Sequence, residues 1–165
     1  MVIDINQIKE LREETSAGIS DCRMALEECD GDMVKAKEWL RKRGLEKAEK
    51  KEDRVIRSGL VYAYVHGHVY NSQGGLKRSE VGRIGAMVEV GCETDFVAKT
   101  DDFQNLCKEI AMQVASMAPE NVKELLEQDY IRDSKKTIKE LVKEVIGKLG
   151  EKITVERIAR FEVGK

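Results

Sequence analysis

Ile84-Gly85-Ala86-Met87-Val88-Glu89-Val90, running on through Gly91-Cys92-Glu93-Thr94-Asp95-Phe96-Val97-Ala98-Lys99-Thr100, decides the class of fold. Ile84, Ala86, Val88 and Val90 alternate with Gly85, Met87 and Glu89, the period-two pattern of a half-buried strand. From Thr100, placed to cap, Phe103, Leu106, Cys107, Ile110, Val114 and Met117 keep a helical stripe until Pro119. Working backward, Val61, Ala63 and Val65 alternate with Tyr62, Tyr64 and His66, a second strand. Working forward, Ile138, Leu141, Val142, Val145 and Leu149 predict a helix ahead of Gly150, and Arg157-Ile158-Ala159-Arg160-Phe161-Glu162-Val163 a last strand. The expectation is an α+β core over 58–165, a three-stranded antiparallel sheet packed with helices.

Between strand and helix stand Thr94-Asp95-Phe96-Val97. An acid beside a large aromatic on an inter-element loop suits another protein's surface, and rigid flanking elements are where binding residues concentrate. The competing reading turns Phe96 inward to plug the end of the sheet and makes Asp95 a helix cap. From these four residues alone the inward reading is the commoner outcome.

Residues 1–44 read as three short helices. Asp4 is placed to cap the first with Gln7 reciprocal to it, and Ile5, Ile8 and Leu11 share one face. Ser20 is placed to cap a second helix, in which Cys22, Ala25, Leu26 and Cys29 form the stripe up to Gly31. Asp32 caps a third carrying Met33, Ala36 and Leu40, with Trp39 alongside and Gly44 as its stop. The unit resembles a ubiquitin-associated bundle, a shape compatible with many partners. Residues 45–57, mostly mixed charge, read as a linker. Residues 67–83 interrupt the first two strands, and Gly74-Gly75 suggests an extended hairpin there.

Lys and Arg total 29 against 31 Asp and Glu, so no electrostatic case exists for nucleic acid as the main ligand. No apolar run is long enough for a bilayer, and Met1-Val2-Ile3-Asp4 lacks the start of a signal peptide, which predicts a cytoplasmic protein. Cys22, Cys29, Cys92 and Cys107 are scattered and read as small apolar residues in a reducing compartment. His66 and His68 have H-x-H spacing, but without a CxxC pair or a third ligand the metal reading is weak, and no metal or cofactor is expected. Neither a G-x-x-x-x-G-K-[ST] loop nor a G-x-G-x-x-G turn occurs, so the chain is not expected to bind nucleotide itself.

The run Val90 to Thr100 resembles the signature of the translation elongation factor Ts family. A second stretch, Leu11-Arg12-Glu13-Glu14-Thr15-Ser16-Ala17-Gly18-Ile19-Ser20-Asp21-Cys22-Arg23-Met24-Ala25-Leu26, is similar to the family's other characteristic motif. Gly31-Asp32 and Trp39-Leu40 follow it, and Arg160-Phe161-Glu162-Val163-Gly164 closes the similarity. The resemblance implies a guanine-nucleotide exchange factor for the GTPase elongation factor Tu, which is not itself an enzyme of bond chemistry. It implies a wedge beside the GTPase's magnesium site formed by Thr94, Asp95, Phe96 and Val97. It implies bundle contacts through Arg12, Ile19, Ser20 and Arg23, and a further contact through His66. Longer relatives resemble a duplicated core, so a homodimer through the core sheet is expected here. The alternative function is a non-exchanging adaptor. A third, RNA-associated, reading rests on Lys47, Lys50, Lys51 and Arg54, whose binding would fall steeply with salt.

Overall fold

A computed structural model describes residues 4–15, 17–49, 51, 53–66 and 82–165. The insertion expected at 67–83 therefore lies outside the described residues except for Gly82 and Arg83. The chain forms two compact units, one of residues 1–54 with 143–152, the other of 55–142 with 153–165.

The first unit holds α1 (Ile5–Thr15), α2 (Ile19–Glu28) and α3 (Met33–Glu49). Its core is Leu11, Cys22, Ala25, Leu26 and Ala36, with Ile8, Met33, Trp39 and Leu40 packed against it. Ile5, expected on the same inward stripe, is the first residue of α1 and is 67% exposed. Asp4 does accept from the Asn6 amide at 3.0 Å, but Gln7 reaches across to the Gly31 carbonyl at 3.4 Å instead of back to the cap. Ser20 does not cap α2. Gly18 holds that position with no side-chain bond, and Ser20 lies inside the first turn. Asp32 caps α3 as expected, accepting from the Val34 and Lys35 amides at 3.0 and 3.1 Å.

Gly44 does not stop α3, which runs through the first charged residues taken for linker to Glu49. The reason lies in α7 (Ile138–Leu149), whose second half belongs to this unit. A Cβ on Gly147 would stand 2.8 Å from the Gly44 Cα, closer than packed carbons approach. A mid-helix glycine costs about 1 kcal/mol relative to alanine, and here it permits the two helix backbones to cross in contact.

In the second unit β1 (Ser58–His66), β2 (Ile84–Cys92) and β5 (Ile153–Glu162) form the expected antiparallel sheet in the order β1-β2-β5. Register is fixed by pairs such as Tyr62 with Val88 and Val88 with Ile158, and it slips once between Glu89 and Val90. Ala86, Val88, Val90 and Cys92 are buried on one face. Across that face lies α5 (Asp101–Met117), which buries Phe103, Leu106, Cys107, Ile110, Ala111 and Val114. Met117, placed on the stripe by spacing, is exposed, since the helix ends there in a left-handed Ala118 ahead of Pro119.

Three elements carry no strong pattern in the sequence: α6 (Val122–Glu127), β3 (Asp129–Tyr130) and β4 (Asp133–Thr137). Buried Leu125 and Tyr130 anchor them, the Tyr130 hydroxyl donating to Glu109 of α5 at 2.7 Å, and a buried polar side chain adds to that hold. Gln113 of α5, fully buried, accepts from the Ile131 amide at 3.0 Å. Its amide nitrogen donates to the Asp129 carbonyl at 3.0 Å and to Gln128 at 3.2 Å. At the far end of α5, Arg160 of β5 donates to the Ala115 carbonyl at 3.0 Å, satisfying a group the helix leaves open. Gln113→Leu removes the partner of the Ile131 N–H and the Asp129 C=O at this partly buried edge, and a loss of about 1–3 kcal/mol is expected in urea unfolding.

Candidate functional site

The Thr94–Val97 stretch forms a single turn, α4 (Asp95–Ala98), between β2 and α5. Thr94, extended at φ −129°, is its cap, and its hydroxyl accepts from the Val97 amide at 3.4 Å. The Thr94 carbonyl accepts from the Ala98 amide at 3.3 Å and from the Cys92 thiol at 3.1 Å. From the other side Thr100 donates its hydroxyl to the Val97 carbonyl at 2.8 Å and caps α5 by accepting from the Phe103 amide at 3.3 Å. Val97 and Ala98 face the interior. Successive helical residues are about 100° apart, so with Val97 and Ala98 both directed inward the residue before them points away from the interior, and Phe96 is 78% exposed. Asp95 is not the cap, and Phe96 does not plug the sheet; the inward reading fails on both points.

The Asp95 carboxylate meets the Lys99 ammonium at 2.7 Å across the turn. Lys99 and its charge hold the Asp95 carboxyl below the usual aspartate range. The i,i+4 spacing of Asp95 and Lys99 was the signal available in the sequence for this pair, and pattern reading passed over it.

In the first unit Arg12 is exposed in the last turn of α1, and Ile19 and Ser20 are exposed in the first turn of α2. Arg23, one turn on, is also exposed and pairs with Glu27 at 2.8 Å. The short connection between α1 and α2 thus brings the four expected residues to one end of the bundle. Asp21, beside them, meets Arg43 at 3.7 Å, and the Arg43 guanidinium lies 4.9 Å from the Trp39 ring centre, which ties α3 to this end.

His66 ends β1, exposed, with its Nδ1 2.9 Å from the Tyr64 hydroxyl. His68 lies outside the described residues. Among the described residues no group of three or more His, Cys, Asp or Glu is arranged to hold a metal ion, and no helix is long and apolar enough to cross a membrane. None of the four cysteines forms a disulfide. Burial raises the Cys22 and Cys29 thiols and pushes Cys107 up to about 12.

The face of the sheet turned away from α5 is a second candidate surface. Register places Val61 beside Glu89 and Arg157, Ala63 beside Met87 and Ala159, and Val65 beside Gly85 and Phe161. Val61, Met87 and Phe161 are exposed, Phe161 by 70%, and the Glu89–Arg157 ion pair crosses the strands at one end.

A family model described as elongation factor TS matches residues 93–165. The chain is 40% identical to elongation factor Ts of Coprothermobacter proteolyticus over 210 residues, covering all of both proteins. It is 40% identical to that of Oleidesulfovibrio alaskensis over 95% of this chain and 96% of the relative. To that of Moorella thermoacetica it is 41% identical over 96% of this chain and 94% of the relative.

The ion pair on the turn has a direct readout. With the ammonium favouring the charged form, the Asp95 carboxyl carbon is expected to titrate by NMR below the ordinary aspartate range, and Lys99→Met to return its midpoint toward that range.

Proposed function

Because the chain belongs to the elongation factor Ts family, we propose that it is the guanine-nucleotide exchange factor of elongation factor Tu and releases GDP by disturbing the GTPase's magnesium and phosphate site. The observation that carries this reading is Phe96, an aromatic 78% exposed on a turn whose neighbours are buried or bonded. A large apolar side chain held in water at a fixed position loses little entropy when a partner covers it, which is the character of an interface anchor.

In this reading Phe96 inserts between packed elements of the GTPase while Asp95 approaches the metal. Magnesium neutralises phosphate charge and ties the switch regions to the nucleotide, so disturbing its ligands removes much of the nucleotide's binding free energy. Thr94 and Val97 serve as the footing of the turn. Arg12, Ile19, Ser20 and Arg23 grip the nucleotide-binding domain independently, and His66 adds a contact from the end of β1. Linkage requires reciprocity: a factor that weakens nucleotide binding is itself bound less tightly, by the same free energy, when nucleotide is present. A thousandfold faster release asks for about 4 kcal/mol of barrier lowering, within reach of one buried aromatic plus lost metal coordination.

The test is release of a fluorescent GDP analogue from elongation factor Tu. The wild-type protein is expected to accelerate it, and Phe96→Ala to cut the acceleration by about thirtyfold, the worth of a hot-spot aromatic. The variant's affinity for the nucleotide-free GTPase should fall much less, because the bundle contacts persist. Equal losses in both would remove the wedge role, and no acceleration by wild type would leave the adaptor reading.

The open face of the sheet supports a homodimer as the working state. Val61, Met87 and Phe161 line it, and a second copy would supply the second core that longer relatives carry in one chain. Sedimentation equilibrium is expected to find a dimer that Phe161→Asp converts to monomer. A wild-type monomer at working concentration refutes the assembly.

A further inference from the structure

α4 sorts its side chains into two sets. Val97 and Ala98 are buried, whereas Asp95, Phe96 and Lys99 are exposed, so the aromatic is flanked by an opposite-charge pair. The Lys99 main chain is itself fixed. Its amide closes the turn, and its carbonyl accepts from the Gln104 side chain at 3.3 Å. From this fixed main chain the ammonium reaches the Asp95 carboxylate at 2.7 Å. Both side chains are well exposed, 73% for Lys99 and 60% for Asp95. In water such a pair contributes almost nothing to folding.

Its significance changes when a protein surface closes over Phe96. Asp95 is the adjacent residue, and its carboxylate is then drawn out of water together with the ring. A carboxylate buried without a counter-charge is strongly disfavoured, whereas one that enters already bonded to an ammonium keeps its charge and its direction. We propose that Lys99 is a positioning residue for Asp95: its ammonium enters the GTPase contact still bonded to the carboxylate and fixes that carboxylate beside Phe96. This rests on the exchange function proposed above and assigns to it a residue that the wedge itself does not include. The geometry also explains why a lysine serves here. A compact ammonium on a flexible stem follows the carboxylate through a small adjustment of the turn.

A double-mutant cycle read in two ways tests the assignment. Exchange with elongation factor Tu is measured as kcat and KM for GDP release with wild type, Lys99→Met, Lys99→Arg, Asp95→Ala and the Asp95→Ala/Lys99→Met pair, alongside the melting temperature of each free protein. Lys99→Met is expected to lower kcat/KM roughly tenfold. Lys99→Arg should recover most of that loss. In the Asp95→Ala background Lys99→Met should change the rate by less than about twofold, because its partner is already gone. The melting temperatures should show no matching coupling. An equal effect of Lys99→Met with and without Asp95 overturns the proposal, since Lys99 then makes its own contact. So does a loss that tracks the melting temperature, or an Asp95→Ala protein as active as wild type. If wild type itself fails to accelerate release, the exchange function falls and this assignment falls with it. If wild type is active and the cycle is additive, only the role of Lys99 is lost.

Discussion

The packing of α5 against β1 and β2 is the constraint on which the second unit depends. Phe103, Ile110 and Val114 on one side and Val88 and Val90 on the other lose their water together, and everything at the margins of that contact inherits its rigidity. At the N-terminal margin, Thr94 and Thr100 bracket a single turn that has no freedom to rotate its aromatic inward. At the C-terminal margin, Arg160 donates to the Ala115 carbonyl. Along the flank, Gln113 and Tyr130 hold the small hairpin to α5. The exposure of Phe96 is thus a product of burial elsewhere: two buried neighbours oblige the residue before them to face out.

Periodic burial was legible in the sequence, and so the three strands of the sheet, the helix across them and the three helices of the N-terminal unit could be read there. Stops and caps were less so, because a glycine or serine has several physical uses. Gly44 carries the signal of a helix end but serves a close crossing that depends on Gly147, far away in sequence. Ser20 has a capping side chain, yet the chain enters α2 at Gly18 and leaves the hydroxyl inside the turn. The β3–β4 hairpin was missed because its strands are short and polar and are specified by a buried glutamine and a buried tyrosine, not by alternation. At the candidate site the residues were legible through motif resemblance, but their orientation was not. The hydrogen bonds of Thr94 and Thr100, together with the burial of Val97 and Ala98, decide between an inward and an outward Phe96.

The electrostatics of the chain are local. Acidic and basic residues are nearly balanced, and charged contacts among the described residues include short pairs such as Asp95–Lys99, Arg23–Glu27 and Glu89–Arg157. Pairs of this kind add little to the stability of the free protein. Their value lies in specificity, since each presents a fixed donor and acceptor that a partner must match or cover.

The crossing of α3 and α7 at Gly44 and Gly147 bears on the order in which the molecule is made. Residues 143–152 complete the unit that residues 1–54 begin, yet they leave the ribosome only after α5, α6 and the small hairpin. The bundle core of Leu11, Cys22 and Leu26 is local in sequence and forms early. The far half of α3 must wait, with its glycine exposed, for a helix translated much later. Folding of the first unit is therefore split in time, and its last step waits until the sheet's first two strands and their covering helix have been made.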